Sequence, residues 1–172
     1  MMMKVGYKKG TGLVLAAAVV LAAAAGSAQA ADTATATASA ELVTPITVSK
    51  TADLDFGRLS SGAAGGTSVV SAAGARSVTG DVVEEGGTVS AASFDVTGST
   101  GLGYDITLPT SISITSGGDS MTVNAFTSDK AGNAGTLTGG TDSFSVGGTL
   151  TVAASQATGT YTGTFDVTVA YQ

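Results

Sequence analysis

The side chains able to do chemistry in this sequence are few and nearly all of one kind. Thirteen carboxylates stand against seven lysines and arginines, and the chain has neither histidine nor cysteine. That absence excludes thiolate zinc sites, disulfides, haem attachment and every triad that relies on an imidazole. Asp53 and Asp55 lie two apart, the spacing at which a strand would present both carboxylates on one face, as calcium ligands or an acid–base pair. Solvated edge charges have the same spacing. Glu84-Glu85 precedes Gly86-Gly87 and reads as an exposed turn whose charge opposes edge association. Gly117-Gly118-Asp119 has the composition of a calcium-binding repeat but occurs once, so a hairpin turn is expected there. The string Gly98-Ser99-Thr100-Gly101-Leu102-Gly103 leads into a strand, whereas a phosphate cradle needs a helix N-terminus and a lysine. Serines and threonines abound with no base to activate them. The expectation is no enzyme, no cofactor and no metal, with function lying in backbone edges and packed faces.

The elements behind those faces are strands. From residue 31 onward apolar residues alternate with Thr or Ser, broken every eight to twelve residues by glycine clusters, which predicts an all-β antiparallel sandwich or barrel. About ten strands are expected: 46–50, 54–56, 67–71, 90–97, 104–108, 111–115, 120–126, 143–146, 149–152 and 160–171. Turns are expected at Gly65-Gly66, Gly86-Gly87, Gly117-Gly118, Gly139-Gly140 and Gly147-Gly148. The inward face is expected to hold Phe94, Val96, Tyr104, Ile106, Leu108, Met121, Val123, Phe144 and Val146. Pro109, with no N–H for a ladder, should end a strand.

Residues 1–30 have the pattern of a secretory signal peptide: Lys4, Lys8 and Lys9, an apolar run from Leu13 to Ala25, and Ala28-Gln29-Ala30 before Ala31. The apolar run is too short for a spanning helix, and no cysteine follows it for lipid attachment. Without that leader, Lys50, Arg58, Arg76 and Lys130 face all thirteen carboxylates, which disfavours nucleic acid and anionic membrane surfaces as partners.

Two stretches at the ends of the expected domain stand apart. Residues 33–42 alternate without a break and place Ala34, Ala36, Ala38, Ala40 and Leu42 on one face. Extended, the stretch reaches roughly 30 Å, enough to run along most of a small sandwich. Such an arm is either an ordinary first strand of its own sheet or a strand for another body. The last segment, from Gly159 to Gln172, places Tyr161, Phe165, Val167, Val169 and Tyr171 on one face.

This alternating carboxyl end, with penultimate Tyr171 and with Gly159 fourteenth from the end, is similar to the terminal strand of chaperone-usher pilus subunits. The stretch Thr51-Ala52-Asp53-Leu54-Asp55-Phe56-Gly57 resembles the segment after the first strand of archaic-type fimbrial subunits. From residue 31 on, the chain also resembles an uncharacterised family of secreted bacterial β-domains. It departs from many pilins in lacking a disulfide.

The resemblance implies an immunoglobulin-like sandwich, residues 43–172, missing one strand. Its groove, bordered by Gly159, Tyr161, Phe165, Val167, Val169 and Tyr171, would be filled first by a periplasmic chaperone and then, at an outer-membrane usher, by another subunit's arm, residues 31–42. The expected function is a structural subunit of a surface filament assembled from copies of itself or related subunits. The chain would pass through the periplasm to the cell surface with no membrane insertion after leader cleavage. The alternative is a monomeric secreted module whose loops or tyrosines bind surface polysaccharide.

Overall fold

A computed structural model describes residues 32–172; the leader assigned to residues 1–30 lies outside them. Ten strands follow one another: β1 (Thr47–Ala52), β2 (Leu59–Val70), β3 (Arg76–Glu84), β4 (Ala92–Thr97), β5 (Gly103–Thr107), β6 (Ser111–Ser116), β7 (Asp119–Ser128), β8 (Ala134–Thr136), β9 (Thr141–Val152) and β10 (Thr168–Tyr171). One short 3-10 turn, Ala131–Asn133, separates β7 from β8. Every strand pairing is antiparallel. One sheet runs β1-β4-β9-β2-β3 with β7 and β6 added along β9, and the other runs β10-β5-β8, an all-β sandwich-like arrangement.

Alternation accounts for the core. In β4, Ala92, Phe94 and Val96 turn inward while Asp95 and Thr97 face out. Tyr104 and Ile106 do the same from β5, and Phe144 and Val146 from β9. Phe94 and Phe144 are directly opposed in the ladder and stack with ring centroids 5.2 Å apart, the kind of aromatic cross-strand pair that stabilises a sheet by a few tenths to one kcal/mol. A second cluster, Val82, Val123, Leu150 and Val152, gathers under β2, β3, β7 and β9. Of the nine expected core residues, Leu108 and Met121 are only half-buried. Met121 is so because it faces an open groove.

Several sequence expectations are corrected. Gly147-Gly148 is no turn: β9 runs straight through it, with Val70 of β2 paired to Gly148. A Cβ on Gly147 would collide with the carbonyl of Val70, so glycine there allows two backbones to approach. Gly65-Gly66 likewise lies inside β2, at an irregularity in the β2–β3 register. The segment expected as a strand over residues 54–56 forms only a single bridge, between Asp55 and Ser90. The strands β3 and β8, absent from the sequence reading, complete the two sheets. Gly117-Gly118 and Gly139-Gly140 do occupy tight turns, closing β6–β7 and the Thr138–Thr141 bridge. Pro109 follows β5 as expected.

Candidate functional site

The terminal segment departs most from expectation. A continuous strand over residues 160–171 is replaced by β10 at Thr168–Tyr171, paired to β5, and one bridge between Thr162 and Thr115 of β6. The cause lies in the partner. Eight positions separate Thr107 from Thr115, but only six separate Thr162 from Thr168, and Pro109 occupies the excess with no N–H to donate. Residues 163–167 are therefore extended, yet belong to no ladder. The alternation survives without the ladder: Tyr161, Phe165 and Val167 are half-buried, while Thr162, Thr164 and Asp166 are exposed.

Opposite this segment lies the stretch from β1 to the start of β2. Its backbone is held from behind by a set of polar contacts. Asp55 and Ser90 exchange both backbone hydrogen bonds, at 2.9 and 3.1 Å, and the Asp55 carboxylate accepts from Gly57 N–H at 2.8 Å. Arg76, reaching across from β3 with a side chain only 7% exposed, donates to the Phe56 carbonyl at 2.7 Å and to Glu84 at 3.2 Å. Glu84 and Glu85 are exposed, as expected, and each is also engaged: Glu84 closes β3 as an ion pair with Arg76, and Glu85 accepts from Ser60 Oγ at 2.8 Å. Asp53, paired with Lys50, and Asp55 are both exposed and alternate with half-buried Leu54 and Phe56, so they share a face as solvated charges. Among the described residues no group of three or more His, Cys, Asp or Glu is placed to hold a metal.

Between these two rims is an open groove of about 1110 Å³. Leu54, Phe56 and Leu59 line one side; Tyr161, Phe165 and Val167 line the other. Its floor is Ile112, Ile114, Met121, Val123, Leu150 and Val152, largely the second hydrophobic cluster. Phe165 ties the rim to the core, 4.9 Å from the Phe126 ring and 6.4 Å edge-on from Phe94. At the far end the Tyr161 hydroxyl accepts from Gln156 Nε2 at 2.9 Å and donates to the Ala157 carbonyl at 2.8 Å. Of the residues singled out in the terminal strand, Gly159, Tyr161, Phe165 and Val167 line the groove, whereas Val169 and Tyr171 pack against the main core from β10. Residues 32–42, with Ala34, Ala36, Ala38, Ala40 and Leu42, are exposed and belong to no strand.

Away from the groove, the Tyr104 ring is fully buried and its hydroxyl donates to Asp142 at 3.0 Å. Burial, then that carboxylate, hold the phenol far above its ordinary range. Burial also tends to raise Asp142, but the Lys130 ammonium at 2.8 Å, the Ser143 N–H and the Tyr104 hydroxyl together outweigh it and hold the carboxyl below its ordinary value. Neither this trio nor Arg76 stood out in the sequence, because each joins strands distant along the chain. The sole signal was the scarcity of cations, which makes two withdrawn from full exposure conspicuous.

A two-layer antiparallel β-domain with an apolar groove left open along one side is the class these features define. Residues 46–171 match the family described as a domain of unknown function (DUF4402), and the chain belongs to it. The match takes in both rims of the groove and the whole terminal segment; the arm over residues 33–42 precedes it. No curated protein and no solved structure matches the chain.

Proposed function

We propose that the chain is a structural subunit of a secreted, fimbria-like surface filament, joined to its neighbours by donor-strand exchange. The observation that carries this reading is the apolar groove whose rim, residues 163–167, is extended and outside any ladder. Such an edge is an aggregation hazard alone and a template when a neighbour supplies a strand. The occupant is the arm of a second copy. Residues 33–42, extended, reach roughly 30 Å, and the terminal segment that lines the groove runs from Gln156 to Val167. The arm's face of Ala34, Ala36, Ala38, Ala40 and Leu42 is apolar and, in the free chain, solvated.

Small methyls contribute only about 0.8 kcal/mol each, so most of the docking energy comes from ladder hydrogen bonds at about 0.5 to 1.5 kcal/mol apiece and from Leu42. Export through a periplasm, a chaperone that covers the groove there, and an usher at the outer membrane complete the proposal. A chain without residues 31–42 should be secreted as a monomer that cannot polymerise; filaments of that chain in sheared surface material, seen by electron microscopy, would overturn it. The alternative of a polysaccharide-binding module gains little from Tyr161 and Tyr171, since both side chains are half-buried on the inward face of the terminal segment.

A further inference from the structure

Beyond the groove, the chain just ahead of β1 and the end of β10 are tied together by a closed ring of three hydrogen bonds. Thr44, just ahead of β1, donates its N–H to Ser99 Oγ at 2.7 Å. Ser99, in the loop between β4 and β5, donates its own N–H to the Tyr171 hydroxyl at 2.7 Å. Tyr171, at the end of β10, donates that hydroxyl to the Thr44 carbonyl at 2.7 Å. Each donor has one acceptor, and both backbone groups of Thr44 are occupied. The ring depends on Gly98, where any Cβ would strike the Tyr171 hydroxyl and lie 2.9 Å from Leu137 Cδ1. Two residues before Thr44, Leu42 is 97% exposed.

This arrangement bears on a choice every such chain faces. An arm attached directly to β1 could fold back beside β1, within its own groove, at a far higher effective concentration than any neighbour's arm. To do so it must reverse over residues 43–46, and that reversal begins at Thr44. Pro45 confines Thr44 to extended conformations, and the ring holds it there from both backbone faces.

We propose that Tyr171, Ser99 and Thr44 form a latch that fixes the chain ahead of β1 and turns it outward, so that the arm goes to a second copy and not into its own body. Tyr171 is then a positioning residue for the arm as well as a core residue. The inference rests on the strand-exchange reading, and its test separates the two.

The full chain is compared with Tyr171→Phe, which keeps the ring and removes the hydroxyl, and with Ser99→Ala. Three quantities are read: the monomer share at assembly equilibrium, uptake of a labelled synthetic peptide spanning residues 33–42 by the monomer, and amide exchange over residues 33–42. Wild-type monomer should take up the peptide and show unprotected arm amides. In Tyr171→Phe, which loses two hydrogen bonds, the monomer share should rise roughly tenfold, with the arm amides protected and peptide uptake lost. Ser99→Ala removes only the Thr44 contact and should shift the monomer share in the same direction by a few-fold; it carries the test if the tyrosine variant does not fold. Folded variants with wild-type monomer share and wild-type peptide uptake would overturn the latch and leave strand exchange standing. A wild-type monomer that takes up no peptide would overturn strand exchange, and the latch with it.

Discussion

Leu42 offers the sharpest separation between what holds one molecule together and what joins two. It is the largest side chain of the arm's apolar face, and in the single chain it is 97% exposed. A side chain in that state contributes almost nothing to the stability of its own fold, so Leu42→Ala should leave the urea midpoint of the monomer within about 0.5 kcal/mol of wild type. Docked in a neighbour's groove, a leucine gains about 1.5 to 3 kcal/mol from burial, and the rim side chains Leu54 and Phe56 with the floor side chains Ile114 and Leu150 are apolar enough to supply it. Because 1.4 kcal/mol is tenfold in an equilibrium constant, Leu42→Ala should weaken each subunit junction by roughly 10- to 150-fold. Leu42→Asp should abolish assembly, since it would bury an unpaired carboxylate. Sedimentation of chains assembled at graded concentration reads the junction, and urea unfolding of dissociated monomer reads the fold. Filaments of Leu42→Ala as stable as wild type would show that the arm's apolar face does not enter the groove. A monomer destabilised by more than 1 kcal/mol would show that Leu42 is packed within its own chain.

Three further outcomes follow from the folded body. Arg76→Met should keep the packing of the stem but release the Phe56 carbonyl and Glu84, costing about 2 kcal/mol and speeding amide exchange in residues 55–58 and 84–86; unchanged exchange there would deny Arg76 its role as the brace of the rim. Phe165→Ala removes the contacts to Phe94 and Phe126 from a half-buried position and should cost about 2 kcal/mol by urea unfolding, below the loss at a closed core site; a loss under 0.5 kcal/mol would mean the terminal segment is not held by this ring. Asp142 has a lowered folded pKa, so its contribution is present above its ordinary 3.8 and is lost as pH falls through the depressed folded value. Unfolding midpoints recorded downward from pH 5 should therefore decline in wild type more steeply than in Asp142→Asn, which lacks that titration; parallel curves would remove Asp142 from the acid response.

The period-two pattern made much of this architecture legible. Alternation in residues 92–97, 104–107 and 120–123 alone selects which side chains meet in the core, because a strand turns every second residue to the same face. The same logic, pressed further, contained the correct answer for β9: Phe144, Val146, Gly148, Leu150 and Val152 keep one phase through the glycine pair, which a turn would have reset. Reading glycine as punctuation hid this, since glycine serves equally where backbones must touch. Strand β3 is masked in the pattern because Gly80 stands on its apolar phase and Val83 on its polar one. Its place is assured by pairing with β2, a contact that composition does not encode.

Composition and pattern by themselves determined that this is an antiparallel β-domain without reactive chemistry in imidazole or thiol, ending in an apolar terminal segment and beginning in an alternating arm. They could not determine whether the terminal segment is laddered along its length. That was decided in three dimensions by the two-residue mismatch around Pro109, by the Arg76 brace on the facing rim and by the Thr44–Ser99–Tyr171 ring. The reason is physical: a side chain's face follows from its own strand's period, but an edge is open or closed according to which distant strand lies beside it.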